Sequence, residues 1–260
     1  MTDPVKDPRT ILITGASSGI GAALARAYAA PGLLLHLGGR NAERLAAVAR
    51  DCTDHGATAR PAIVDVAERA TCERWIREAD AAAPLDLVVA NAGVSAGTSG
   101  ASLFEETAET ARRLFAVNVD GVLNTVLPAV DVMRGRHRGQ IGIVSSLAAF
   151  LGSPGAGAYC ATKGAERLFG EALRRELAPQ GVEVSVICPG FVRSPMTDRN
   201  PFYMPFLMGA DEAARIIRKG LARNKGRIAF PWPMYLLVLF AAMLPPALMD
   251  LVSRPLPRKA

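Results

Sequence analysis

The sequence predicts an α/β fold: a doubly wound parallel sheet with helices on both faces. Three observations carry this. Short β-branched or leucine-rich runs alternate with alanine- and arginine-rich stretches from residue 10 onward. The runs are nearly continuously apolar, as expected of strands covered on both faces. The stretches between them are long enough for crossover helices, which makes right-handed βαβ units. No linker, repeat or low-complexity tract interrupts residues 10–230, and 260 residues suit one large domain. With 50% hydrophobic residues, a wholly disordered chain is excluded.

In chain order, strands are predicted at Thr10–Thr14, Leu33–Leu37, Ala62–Val66, Leu85–Ala90, Gln140–Ser145 and Glu183–Cys188. The first runs straight into Thr14-Gly-Ala-Ser-Ser-Gly-Ile-Gly21 and then a helical pattern. Glycines at 15, 19 and 21 remove side chains where the chain must turn and approach a ligand. The helix start behind them offers free N–H groups and a positive dipole end to a pyrophosphate. A lone glycine triplet is weak evidence, but here it sits between strand and helix near the start of the chain. The second strand ends in Gly38-Gly39-Arg40, with no carboxylate before Glu43. An NAD-binding unit normally presents an acidic residue there for the ribose 2′-hydroxyl. Arg40 instead offers a planar fork to a 2′-phosphate, or is simply an exposed arginine at a helix start.

Further on, Tyr159 and Lys163 form Tyr-x-x-x-Lys in a helical segment, a spacing that puts phenol and ammonium on one face. A nearby cation favours phenolate and is expected to lower the tyrosine pKa towards the working range. The predicted fifth strand ends in Ser145-Ser146, at the edge where open α/β sheets bind ligands, so Ser146 can hold a carbonyl oxygen beside the tyrosine. In the helix after Tyr159, Ala165, Leu168, Phe169, Ala172 and Leu173 read as one apolar stripe facing the core.

Composition narrows the remaining classes. Thirty basic and 24 acidic residues give a net charge of +6, compatible with phosphates, anionic cofactors or an anionic membrane surface. The basic run Arg134–Arg138 has no interleaved aromatics, so it reads as a solvated loop and nucleic-acid binding is not expected. Four cysteines and three histidines show no ligand spacing, so neither a disulfide framework nor a metal site is expected. The opening MTDPVKDPRT has no apolar segment of a signal peptide, so a reduced, cytoplasmic setting is the expectation.

Taken together, TGASSGIG (Thr14–Gly21), Asp65-Val66, Asn91-Ala92-Gly93, Asn118, Ser146, Tyr159-Cys-Ala-Thr-Lys163 and Pro189-Gly190 resemble the single-domain short-chain dehydrogenase/reductase family, over about residues 9–230 and in the family's order and spacing. The resemblance implies a Rossmann-type sheet of about seven strands, a nicotinamide cofactor and a homo-oligomer, usually a dimer or tetramer. It implies Tyr159 as proton donor and acceptor, Ser146 orienting the substrate oxygen, Lys163 on the nicotinamide ribose, and Asn118 holding a relay water. Carried over the same way, Gly15, Ser17, Ser18, Gly19, Ile20 and Gly21 cradle the pyrophosphate, and Asp65 and Val66 meet the adenine. Asn91, Ala92 and Gly93 line the cofactor side of a strand end, and Pro189, Gly190, Val192 and Ser194 clasp the carboxamide. Ser194 stands where the family often has threonine. Gly39-Arg40 corresponds to the neutral-then-basic pair of NADP-preferring members, although Ser18 replaces the usual basic residue of the glycine loop. NADP(H) is favoured, with NAD(H) open.

The implied activity is an oxidoreductase interconverting a carbonyl and an alcohol. The alternative is a non-catalytic dinucleotide-binding sensor or scaffold on the same fold. Asp65 can also read as a helix cap, Asn118 as a buried amide and Cys160 as a packing residue. A substrate lid is expected at about 193–210, whose aromatic and methionine content suits an apolar substrate. The catalytic domain then runs over 1–230 and is followed by an apolar tail, 231–260. No residue between Arg227 and Asp250 is charged, but prolines break the run. Its uninterrupted core, Met234–Leu244, reaches only about 16 Å as a helix, too short to cross a bilayer. The readings of 232–249 are a peripheral contact with anionic lipid, aided by Trp232, Tyr235 and the basic residues Arg223, Lys225, Arg227, Arg254, Arg258 and Lys259, or else a contact between subunits or a cover over the substrate channel.

Overall fold

Ile11, Leu12 and Ile13 of β1 (Thr10–Ile13) are completely buried, as a strand enclosed between two helical layers must be. The computed structural model describes residues 5, 7–95, 107–198 and 203–253. Around β1, seven parallel strands form one sheet in the order β3-β2-β1-β4-β5-β6-β7. The others are β2 (Leu34–Gly39), β3 (Thr58–Ile63), β4 (Leu87–Ala90), β5 (Gly139–Val144), β6 (Val182–Pro189) and β7 (Arg227–Phe230). β1 pairs on one side with β2, in the register Thr10↔Leu34, and on the other with β4, in the register Ile11↔Leu87. The expected doubly wound sheet is therefore observed.

Helices α1 (Gly19–Tyr28), α2 (Ala42–Asp54) and α3 (Arg69–Ala82) follow the first three strands. After β4 come α4 (Ala108–Leu114), one π-helical stretch, Phe115–Asp120, and α5 (Gly121–Arg134). A 3-10 turn, Leu147–Phe150, precedes the long α6 (Gly157–Leu177), and α7 (Ala210–Leu221) precedes β7. Two large apolar clusters result, one on each face of the sheet, with a smaller third beside them. Leu24 of α1, Leu45 of α2 and Ile217 of α7 close over one face. Ile76 of α3, Val126 and Met133 of α5, and Leu173 of α6 close over the other. Each such side chain taken from water contributes about 1.5–3 kcal/mol, set against the entropy of ordering the chain.

Two elements differ from expectation. The third strand lies at Thr58–Ile63 rather than Ala62–Val66. It is an edge strand, so its residues are exposed or half-buried and lack the apolar run that marks the inner strands. Val64 and Val66 are apolar because they tuck into the core beyond its end. The stripe on α6 is also out of phase. Leu168 is 59% exposed and Ala172 is exposed, whereas the buried face carries Thr162, Lys163, Glu166, Gly170, Leu173 and Leu177. Polar residues of a site occupy the inner face, so apolarity does not mark it.

The tail forms α8 (Trp232–Ala242) and α9 (Pro246–Ser253). Prolines begin these helices rather than break them: Pro231 and Pro233 stand at the start of α8 and Pro246 opens α9, where a missing N–H costs nothing. Met234 and Tyr235 pack against the body, together with Phe150. Trp232, Leu236, Leu237, Phe240 and Met243 are exposed. Arg254, Arg258 and Lys259 lie outside the described residues, as do residues 199–202 of the expected lid.

Candidate active site

Where the strand order reverses, between β1 and β4, the strands' C-terminal ends open into a crevice of about 950 Å³, the place where open α/β sheets bind ligands. Its floor begins at the turn from β1 to α1. Gly15 (φ 65°) and Gly19 (φ 54°) adopt left-handed backbone that other residues enter only with strain. Gly21 is required for a different reason: a Cβ there would lie 2.4 Å from the Gly15 carbonyl oxygen and 2.5 Å from Asn91 Nδ2. The loop is stapled from behind. Asn91 Nδ2 donates to the Thr14 carbonyl at 2.9 Å, and the Asn91 and Ala92 amides donate to Thr14 Oγ1 at 3.0 and 3.1 Å. The first N–H groups of α1 have no intrahelical partner and are available to an anion.

Gly15, Ser17, Ser18, Gly19, Ile20, Arg40, Asp65, Val66, Asn91, Ala92, Gly93, Ser146, Tyr159, Lys163, Pro189, Gly190, Val192 and Ser194 all line the crevice. Two of the expected residues sit behind its wall. Gly21 packs against Gly15. Asn118 is fully buried, accepting the Val94 amide at 2.8 Å and donating to the Val94 carbonyl and to Thr162 Oγ1. Asp65 does not cap α3 but accepts the Ala67 amide at 3.0 Å in the preceding turn. At the rim, Arg40 Nη1 lies 3.4 Å from Asp65 Oδ2, with both side chains over a third exposed. Such a pair is worth about 0–1 kcal/mol, so the guanidinium is readily drawn to a stronger anion.

Sequence reasoning missed Arg44, which also lines this end of the crevice. Its place in the first turn of α2, after the Asn41 cap, was a usable signal. At the opposite end Leu151, Phe191, Met196, Met234 and Val238 make an apolar wall. Of the expected lid, Met196 and Thr197 reach the crevice, while Tyr203, Phe206 and Leu207 are exposed. A bridge between Val192 and Met208 ties the two ends of that segment together.

The reacting end is organised by α6 and the end of β5. Ser145 donates to the Lys163 carbonyl at 2.7 Å and fixes α6 to the sheet. Ser146 accepts the Ala148 amide and hydrogen-bonds the Tyr159 phenol. Lys163 Nζ lies 5.9 Å from the Tyr159 ring centre and donates to the Val144 carbonyl at 3.1 Å. It also contacts both carboxylate oxygens of buried Glu166 at 2.9 Å, a partner sequence reasoning did not find.

Electrostatics here depart from expectation. Burial pushes the Tyr159 phenol up; Lys163 and the Ser146 hydrogen bond pull it down; Glu166 and Cys160 push it up again. The net direction is upward rather than downward. Burial also opposes the Lys163 ammonium, but Glu166 and Tyr159 outweigh it and leave its pKa raised. Burial pushes the Glu166 carboxyl up to about 7, against the pull of Lys163.

The crevice fits a dinucleotide. Its glycine cradle would be filled by a Cβ, a helix start faces it, two arginines stand at one end, and a phenol, hydroxyl and ammonium stand at the other. Among the described residues no cluster of potential metal ligands occurs, and all four cysteines are free and buried.

Comparison with known proteins agrees with the geometry. Residues 9–201 match the family model described as short chain dehydrogenase. An uncharacterized oxidoreductase of Myxococcus xanthus is 41% identical over 248 residues, 95% of this chain and 96% of the relative. A short-chain dehydrogenase from Sphingobium yanoikuyae in complex with NADPH superposes with a TM-score of 0.78 at 27% identity, over 96% of this chain and 98% of that one. A short chain dehydrogenase/reductase from Burkholderia phymatum in complex with NAD gives 0.79 at 25% identity, over 98% and 99%.

Replacing Gly21 with alanine is expected to push the loop off its staple. Affinity for whichever nicotinamide dinucleotide binds, NADPH or NADH, followed by nicotinamide fluorescence, should fall by at least about tenfold, while the far-ultraviolet circular dichroism of an α/β protein is retained.

Proposed function

Since the chain belongs to the short-chain dehydrogenases/reductases, we propose that it is an NADP(H)-dependent oxidoreductase that interconverts a carbonyl and an alcohol on an apolar substrate. One observation carries this reading: Tyr159, Ser146 and Lys163 converge in the same crevice as the glycine cradle and the two arginines. The bound nicotinamide would supply or accept the hydride. The residues of this chain do the rest. Ser146 orients the substrate oxygen, Tyr159 exchanges a proton with it, and Lys163 binds the nicotinamide ribose and stabilises the phenolate. Leu151, Phe191, Met196, Met234 and Val238 exclude water and favour a substrate with an apolar body. Arg40 and Arg44 support the NADP(H) preference, because two guanidiniums at the adenosine end complement a 2′-phosphate. Asn118 braces the Val94 backbone beside Lys163 and holds the relay water.

The tail extends the same reading. α8 lines the crevice with Met234 and Val238 while leaving Trp232 70%, Leu237 65% and Met243 82% exposed. We propose that this face lies on an anionic lipid surface, with exposed Arg223 and Lys225 preceding it in the chain, ahead of β7. An apolar substrate would then enter beside the membrane. Exposed Phe115, Leu127 and Leu168 offer a separate apolar surface for a homo-oligomer.

Three measurements test this. Wild type is expected to reduce apolar ketones with NADPH, and Tyr159→Phe to lose turnover by about a hundredfold or more while still binding NADPH. An unchanged cellular role for that variant would favour the scaffold alternative. Arg40→Ala should weaken NADPH binding by about tenfold, a loss on the scale of a charged hydrogen bond, and leave NADH affinity unchanged. A shared loss would refute the 2′-phosphate contact. In flotation with anionic liposomes the full chain should rise with the vesicles, and Leu237→Asp combined with Phe240→Asp should stay below. If both stay below and the variant dissociates an oligomer by light scattering, the face is a contact between subunits.

A further inference from the structure

The inner face of α6 buries two charged groups, Lys163 at 5% exposure and Glu166 at 2%. Their i, i+3 spacing stacks them on one side of the helix. Both Glu166 oxygens lie 2.9 Å from Lys163 Nζ, and the Val144 carbonyl takes a second N–H at 3.1 Å. Stability alone is a poor reason for this arrangement, because apolar side chains commonly replace a buried ion pair without loss. The pair stands next to the one reacting phenol, and there its charge balance has a chemical consequence.

We propose that Glu166 is a positioning residue of the reaction: its carboxylate clamps Lys163 and offsets its charge, which keeps Tyr159 as a protonated donor suited to carbonyl reduction. This rests on the oxidoreductase reading, since only a reacting Tyr159 makes its protonation matter. In reduction the phenol O–H bond breaks and its proton goes to the substrate oxygen as the carbonyl carbon gains hydride from reduced nicotinamide. A phenolate remains beside Lys163 until water returns a proton. An unopposed ammonium would favour that phenolate before the substrate arrives; Glu166 removes this advantage.

Few other charges intervene. Lys163 is the charged group acting on Glu166. Cys160 on α6 faces Tyr159, and Cys188 on β6 faces Lys163, both as buried thiols. The π-helical stretch presents neutral Asn118 and keeps Asp120 exposed, while Glu109, Arg112 and Arg113 of α4 are exposed. Neither β5 nor the turn Leu147–Phe150 carries a titratable side chain. The sign follows from the Glu166 carboxyl, which burial pushes up to about 7. Below that pH Glu166 is neutral and Lys163 acts alone; above it the carboxylate forms and Tyr159 holds its proton further into the alkaline range.

The test labels the four tyrosines with ¹³C at Cζ, identifies Tyr159 by its loss in Tyr159→Phe, and follows it by NMR against pH without substrate or cofactor. In Glu166→Gln the Tyr159 midpoint is expected to fall by about one pH unit or more. The alkaline limb of kcat for NADPH-driven ketone reduction should move the same way. A folded Gln variant with an unmoved Tyr159 midpoint overturns the proposal. If Glu166→Gln and Glu166→Met both fail to fold, the wild type decides: the Tyr159 signal must show a second inflection near pH 7, where Glu166 titrates, and a single transition overturns the clamp. A shifted midpoint in a protein that reduces no carbonyl keeps the clamp and refutes the reductase reading. Turnover with no shift refutes the clamp alone.

Discussion

A parallel sheet cannot leave a face in water here, because every inner strand is almost wholly buried on both sides. Each crossover must therefore lay its helix on one face or the other, and covering both faces forces the chain to reverse direction across the sheet. That reversal falls between β1 and β4. The described helices that follow those two strands, α1 and α5, pack on opposite faces of the sheet, and the crevice opens between β1 and β4. The site is thus a consequence of how the sheet is covered, and the residues around it adapt to a space the topology provides.

The gap would be loose without two internal ties. Thr14 and Asn91 bind the glycine loop to the end of β4, so the start of α1 is held at a fixed distance from the opposite wall. Ser145 binds the Lys163 carbonyl and fixes α6 to the end of β5. Neither tie touches a reacting atom. Both convert a topological gap into a site of defined width, with the dinucleotide cradle referred to β1 and β4 and the phenol and ammonium to β5. This is the preorganisation that proton and hydride transfer require.

The inner strands were legible because burial on both faces leaves one signature, a nearly continuous apolar run. β3 was misplaced by about four residues because an edge strand has no such run, and the apolar Val64 and Val66 just beyond it imitate one. β7 was passed over because it is short and begins with Arg227, whose charge is taken up by Glu171 and by the Tyr235 hydroxyl. The glycine cradle, Ser146, Tyr159 and Lys163 were legible as motifs. Glu166 was not, since a single acidic residue on a helix reads as solvated until the phase of that helix is known. The error in the α6 stripe and the missed carboxylate have one origin: hydrophobic periodicity finds the buried face of a helix only when that face is apolar.

The tail poses the converse problem. α8 is apolar all round, so periodicity assigns it no inner face at all. Its orientation comes instead from polar and aromatic contacts at one turn. Tyr235 accepts a hydrogen bond from Arg227 at 2.8 Å and meets Phe150 edge-on at 5.5 Å, and Arg167 and Arg227 lie 4.6 and 5.0 Å from the Phe150 ring centre. This cluster holds Met234 and Val238 against the crevice and turns Leu236, Leu237 and Phe240 outward. A helix that walls the crevice with one side while exposing apolar side chains on the other couples two requirements in eleven residues. A substitution that frees Tyr235 would therefore disturb the apolar wall and the exposed face together, whereas one at Leu237 acts on the outer face alone. The fold supplies the crevice, and this one helix joins its apolar wall to an exposed apolar face.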